Sequence, residues 1–187
     1  MGLSQENCHM SFRLAAIVTA SLVALAGPAT AGPGAPGHKD SASALLGSPA
    51  AKGQGRLVKV EMTDNAYSIA KVDVKAGETI RFQIVNKGTL LHEFNLNTAE
   101  EHAQHKPMMA MMMEHGMITV DSIKNLKMKM PDGTVMAHTE PNSVLVEPGK
   151  SAEISWKFTR AGTLDIACNI PGHSESGMVI PLTVVAR

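Results

Sequence analysis

"CNIPGHSESGM", residues 168–178, lies near the C-terminus and offers a thiol, an imidazole and a thioether at equal spacing: Cys168, His173 and Met178. It follows a stretch that reads as strand, "TLDIAC" (163–168). It runs into another, "MVIPLTVV" (178–185), whose Ile180, Leu182 and Val184 share one face. The loop thus hangs between two strands of a period-two pattern.

The same alternation recurs upstream. "LVKVEM" sets Val58, Val60 and Met62 against Lys59 and Glu61, and "ETIRFQIVN" sets Ile80, Phe82 and Ile84 against Arg81 and Gln83. "SAEISWKFT" sets Ala152, Ile154, Trp156 and Phe158 against Glu153, Ser155 and Lys157. Turn signals punctuate these runs: "KAGE" at 75–78, "NKGT" at 86–89, "EPGK" at 147–150 and "RAGT" at 160–163. Half-buried strands with regular turns predict an all-β, two-sheet sandwich. Pro181 sits inside the last strand, so its N–H side is expected to face an edge or a bulge.

One segment departs from period two. "TAEEHAQHKPMMAMMMEHGM" (98–117) opens with Thr98 and Glu101 as a capping box, so a helix is expected, with Pro107 kinking or restarting it and Gly116 ending it. The region 98–140 reads as a partly helical insertion rich in Met and His. Nine of the 13 methionines lie between Met108 and Met136. Met108, Met109, Met111, Met112 and Met113 point all round a helix, and Met109 with Met113, like Met111 with His115, share a face. Two readings stand side by side: a cluster of thioethers and imidazoles, soft donors that suit capture of Cu(I), or adaptable methionines plugging the insertion onto the sandwich. His102 and His105 either join such a site or are solvated helix residues, and the polar surroundings favour the latter.

At the other end, Arg13 precedes the apolar run "LAAIVTASLVALAG" (14–27), and Ala29-Thr30-Ala31 has the small-x-small form of a cleavage site. Residues 1–31 read as a secretory signal peptide, starting at Met1 or Met10, and periplasmic export follows. The run is too short for a comfortable membrane span, so no stable insertion is expected after cleavage. Residues 32–55, rich in Gly, Pro, Ala and Ser, read as a flexible linker, which starts the domain at Arg56 and runs it to 187. With Cys8 in the leader, the mature chain keeps one thiol, Cys168, and an exported chain with a lone cysteine has no internal disulfide to form. Lys+Arg and Asp+Glu both number 17, so no basic excess points to nucleic acid.

A thiolate and two imidazoles in a plane, with a weak axial thioether, define a blue-copper electron-transfer site. A short loop cannot surround an ion, so the second imidazole comes from elsewhere. His92, in "TLLHEFNL", follows a strand and turn and is the best candidate; His102, His105, His115 and His138 lie in the insertion and His38 in the linker.

The loop, with the upstream "VNKGTLLHEFNL" and "VKAGETIRFQI", resembles the cupredoxins, the plastocyanin- and azurin-like blue copper proteins. The likeness covers residues 56–187 apart from the insertion. It implies a Greek-key β-sandwich holding one type-1 copper, Cu(I)/Cu(II), on His92, Cys168, His173 and Met178, with the His173 ring edge nearest solvent. The "HEF" around the first His and the insertion resemble periplasmic copper-tolerance cupredoxins. Where many cupredoxins have Asn after the first His, this chain has Glu93, which leaves open how the two ligand loops are tied. Multicopper oxidases carry His beside the Cys, whereas here the neighbours are Ala167 and Asn169. The expectation is a monomeric, non-enzymatic protein that transfers single electrons to a redox partner protein, or sequesters copper and passes it to a copper acceptor.

Overall fold

The structure, a computed structural model, describes residues 45–130 and 132–187. The proposed signal peptide and the first part of the linker lie outside the described residues. In chain order the elements are β1 (Gly47–Pro49), β2 (Arg56–Thr63), β3 (Ala66–Tyr67), β4 (Val72–Lys75), β5 (Thr79–Asn86), β6 (His92–Asn97), α1 (Ala99–Glu114), β7 (Lys127–Lys129), β8 (Val135–Ala137), β9 (Ser143–Val146), β10 (Ser151–Phe158), β11 (Gly162–Ala167) and β12 (Val179–Val185).

They form two five-stranded sheets, β1-β10-β5-β2-β3 and β4-β12-β11-β6-β9, with β7 and β8 as a separate hairpin. This is the all-β sandwich that the alternation predicts. β5 pairs antiparallel with β10 and parallel with β2, in registers that set Phe82 beside Ile154 and Val58 beside Phe82. The inward residues of both sheets are buried: Ile80, Phe82, Ile84, Trp156 and Phe158 from one, Phe94, Leu96, Ile166, Ile180 and Leu182 from the other. Phe82 and Phe94 join the sheets directly, ring centroids 5.2 Å apart. Burying such side chains is the main favourable contribution, about 1.5–3 kcal/mol for each large one.

Two expectations are corrected and one holds. The domain begins before Arg56, because Leu45 is buried and β1 adds an edge strand to β10. A Cβ at Gly47 would collide with the Lys157 carbonyl, so the glycine that suggests flexibility is what lets the backbone approach the sheet. The expectation for Pro181 holds locally: β12 is an inner strand, but β4 flanks it only from Leu182 onward, so on that side no partner is there to miss its N–H. Finally, the helix does not restart at Pro107: α1 contains that residue within Ala99–Glu114. The hydrogen bond that proline removes would have reached Ala103, and both residues are exposed, so water can take its place.

The helix otherwise begins and ends as its sequence dictates. The Thr98 hydroxyl accepts the Glu101 N–H at 3.2 Å, and Gly116, at φ +67°, turns the chain out of the helix. His102, His105, Met108, Met109 and Met112 are buried. Met111 and Met113 also pack, partly buried, against the core.

Candidate metal centre

β11 and β12 are antiparallel neighbours, and Ala167 faces Val179 in their register. The 168–178 loop is therefore a hairpin connection whose two ends sit side by side. The Cys168 N–H donates to the Met178 carbonyl at 3.2 Å, and the Met178 N–H donates to the His173 carbonyl at 3.1 Å. Cys168 and Met178 are both fully buried. His92 starts β6, which flanks β11, so strand pairing brings it to the same end of the sandwich.

His92 Nδ1 lies 3.2 Å from His173 Nδ1, and Cys168 Sγ lies 3.3 Å from His173 Nδ1. The three donor atoms fall within 4.8 Å of one another, a cluster that could hold one metal ion. Met178 is tied to the same loop by its backbone, through the Cys168 N–H and the His173 carbonyl. Burial and the nearby His173 hold the His92 pKa below its ordinary value, and burial does the same for His173. Neutral imidazoles are the form that ligates metal. Burial pushes the Cys168 thiol up to about 12, although the Glu93 N–H, 3.3 Å from the sulfur, favours the thiolate. The thiol is thus held protonated and inert unless a cation replaces the proton.

Asp64 orients His92. Its carboxylate accepts from the Thr89 N–H at 2.8 Å and the Thr89 hydroxyl at 2.7 Å, and it lies 3.5 Å from His92 Nε2. Hydrogen bonding from Thr89 lowers the Asp64 pKa to about 2. A carboxylate on the far nitrogen leaves Nδ1 facing the cluster. Asn86 braces the same loop, donating from Nδ2 to the Leu90 and Val146 carbonyls at 2.8 Å each. Neither buttress was legible beforehand, because Asp64 and Asn86 are ordinary turn residues in the sequence.

Glu93 ties the His92 strand to the Cys168 loop. Its Oε2 accepts the Asn169 N–H at 3.1 Å and the Asn169 side-chain amide at 2.9 Å. Its Oε1 meets His105 Nε2 and His138 Nε2, each at 2.9 Å, and the Ser143 hydroxyl at 2.7 Å. His102 and His105 are therefore not solvated: they are 5% and 0% exposed, and His102 Nε2 donates to the Asp165 carbonyl at 3.2 Å. Burial opposes ionisation of Glu93, but His105 and His138 outweigh it and hold its pKa well below the ordinary 4.5. The same contacts overcome burial at His138 and raise it, whereas burial lowers His102.

These shifts set the response of the metal-free protein to acid. His92, His102 and His173 have depressed folded pKa values, so their contribution is complete above the ordinary 6.5 and is lost as pH falls below it. Glu93 behaves alike below 4.5. His138, raised, works the other way, stabilising below 6.5 and losing that effect at higher pH. With three depressed imidazoles against one raised, the urea midpoint of metal-free protein is expected to fall between pH 7.5 and 5.5. A midpoint that is equal or higher at pH 5.5 would contradict this.

The chain matches the Cupredoxin-like domain family over residues 41–108. It is 45% identical over 148 residues to the copper-resistant cuproprotein CopI of Pseudomonas aeruginosa, covering 74% of this chain and 82% of that one. It is 39% identical over 145 residues to a protein of the same name from Rubrivivax gelatinosus, covering 76% and 74%. Its fold is similar to that of auracyanin B, with TM-score 0.51 at 19% identity, over 74% of this chain and 96% of that one.

Proposed function

The chain belongs to the family of the copper-resistant cuproproteins CopI, cupredoxin-like in sequence and fold, and on that premise we propose that it is an exported, periplasmic copper-tolerance protein holding one type-1 copper on His92, Cys168, His173 and Met178. The observation that carries this is the approach of two Nδ1 atoms and one buried sulfur to within 4.8 Å of each other. The donor set fits the ion: a thiolate and thioether suit Cu(I), and imidazoles suit both oxidation states. Copper bound there supplies one-electron chemistry, Cu(I) to Cu(II) and back.

The chain's own residues do the rest. Asp64 and Asn86 fix the His92 loop, and Glu93 locks that loop to Asn169 beside the cysteine. The Glu93 N–H stabilises negative charge on the Cys168 sulfur. Leu91, Ile170 and the sandwich core, all buried, exclude water from the sulfur. A rigid pocket keeps reorganisation small when one electron moves. His173 is the least buried of the three clustered residues, so its ring edge is the route by which an electron enters or leaves. The protein is a carrier or a store and performs no bond chemistry on a substrate. A copper donor or acceptor, or a redox protein, is its partner.

The alternative in which the Met-rich helix captures Cu(I) has less support, since Met108, Met109 and Met112 are buried in the core. They act as adaptable packing.

Saturating copper is expected to raise the melting temperature, because the ion binds the folded site preferentially. At a thousandfold excess over the dissociation constant the gain is about 4 kcal/mol. An unchanged melting temperature on copper loading would remove the preformed site from consideration.

A further inference from the structure

Glu93 Oε1 is surrounded by more donors than it can serve. His105 Nε2 and His138 Nε2 stand at 2.9 Å, the Ser143 hydroxyl at 2.7 Å and Asn95 Nδ2 at 3.1 Å. A carboxylate oxygen offers about two lone-pair directions. The other oxygen already accepts twice from Asn169. Beside this crowd, Asn95 Oδ1 is buried with no hydrogen-bond partner, an expensive orphan in a protein interior. The arrangement is over-supplied with groups aimed at one point.

We propose that Glu93, His105 and His138 form a second metal site, distinct from the thiolate centre, that takes a divalent transition ion of the Cu2+ class. One carboxylate oxygen and two imidazole nitrogens lie within 4.8 Å of one another, and all three residues are buried. The set contains no sulfur. Imidazole with carboxylate suits borderline divalent ions, among which Cu2+ heads the affinity order and Zn2+ follows. The ion's charge offsets Glu93 and the Glu140 carboxylate, 3.2 Å from His138 Nδ1. Coordination replaces the competing hydrogen bonds on Oε1. Turning the Asn95 amide over brings its orphaned oxygen toward the ion as a further ligand. His138, 4% exposed, is the most accessible of the three ligands and marks the side from which an ion arrives.

The two sites are neighbours through one strand. Successive residues of a strand point to opposite faces, so His92 serves the thiolate centre and Glu93 the second. The Glu93 N–H nevertheless touches the Cys168 sulfur. The second site stands on its own residues and does not depend on how the first is read.

The test uses the full chain, freed of metal, loaded with excess Cu2+ or Zn2+, washed with a weak chelator and counted for metal per chain. Cys168→Ser is expected to lose the intense visible band yet retain one Cu2+ after washing, with nitrogen couplings in its paramagnetic resonance spectrum, and adding His138→Asn to it is expected to remove that ion, which separates it from Cu2+ held weakly by His92 and His173. His138→Asn, and separately His105→Asn, is expected to hold one ion fewer than the unaltered chain while keeping the visible band, which also reports that the variant has folded. If His138→Asn keeps the band and the full metal count, the proposal is overturned. It also fails, whatever the fate of the histidine variants, if Cys168→Ser binds no nitrogen-coordinated Cu2+ after washing.

Discussion

Replacing Cys168 with serine is expected to abolish the intense visible absorption of the copper-loaded protein entirely. That band arises from charge transfer between a thiolate sulfur and Cu(II), and Cys168 is the one free thiol among the described residues. A serine hydroxyl at the same place is a hard donor that stays protonated at neutral pH. It supplies neither the low-energy electron nor the soft ligand for Cu(I). The imidazoles of His92 and His173, 3.2 Å apart at Nδ1, remain to hold Cu(II) weakly, so a faint colour persists. Cys8→Ser, altering the other cysteine of the chain, should leave the spectrum unchanged. An intense band surviving in Cys168→Ser would end the reading of this loop as a blue-copper loop.

The sequence carried the proposed ligand loop because its chemistry is local. Cys168, His173 and Met178 sit within one hairpin connection, and β11 and β12 flank it in antiparallel register as alternation implied. His92 needed one further step, the placement of a strand start at the same end of the sandwich. Alternation also found the core: Val60, Ile80, Phe82, Ile84, Ile154, Trp156 and Phe158 all face inward. What alternation cannot reveal is pairing between distant polar residues. Glu93 and His138 are 45 positions apart, and nothing in either neighbourhood announces the other. His105 looked solvated because the residues around it, Glu100, Glu101, Gln104 and Lys106, are polar. The buried face of α1 mixes histidines with methionines, so it lacks the apolar stripe by which a packed helix is usually recognised. The linker misled for a related reason. Gly, Ala and Ser lack the side chains that signal packing, yet Gly47 packs by backbone contact alone.

Glu93→Ala is expected to destabilise the metal-free protein by about 3–5 kcal/mol, the usual cost of breaking a buried ion pair by removing one partner. The carboxylate is fully buried and accepts from five residues. Truncation leaves His105, His138, Ser143, Asn95 and Asn169 with donors facing a cavity. Because those partners come from α1, the β8–β9 connection, β9, β6 and the ligand loop, one substitution loosens the insertion and the metal loop together. Glu93→Gln separates shape from charge. It keeps the volume and one acceptor oxygen but sets an amide N–H against donors, so it should fall between the parent and the alanine variant. The backbone N–H at position 93 survives in both variants, so the contact to the Cys168 sulfur is available wherever the loop still folds. The Gln variant should therefore keep the intense copper band while losing stability in urea. If Glu93→Ala unfolded within about 1 kcal/mol of the parent, the buried carboxylate would be a passive resident of the core and not the residue that fastens the insertion to the metal loop.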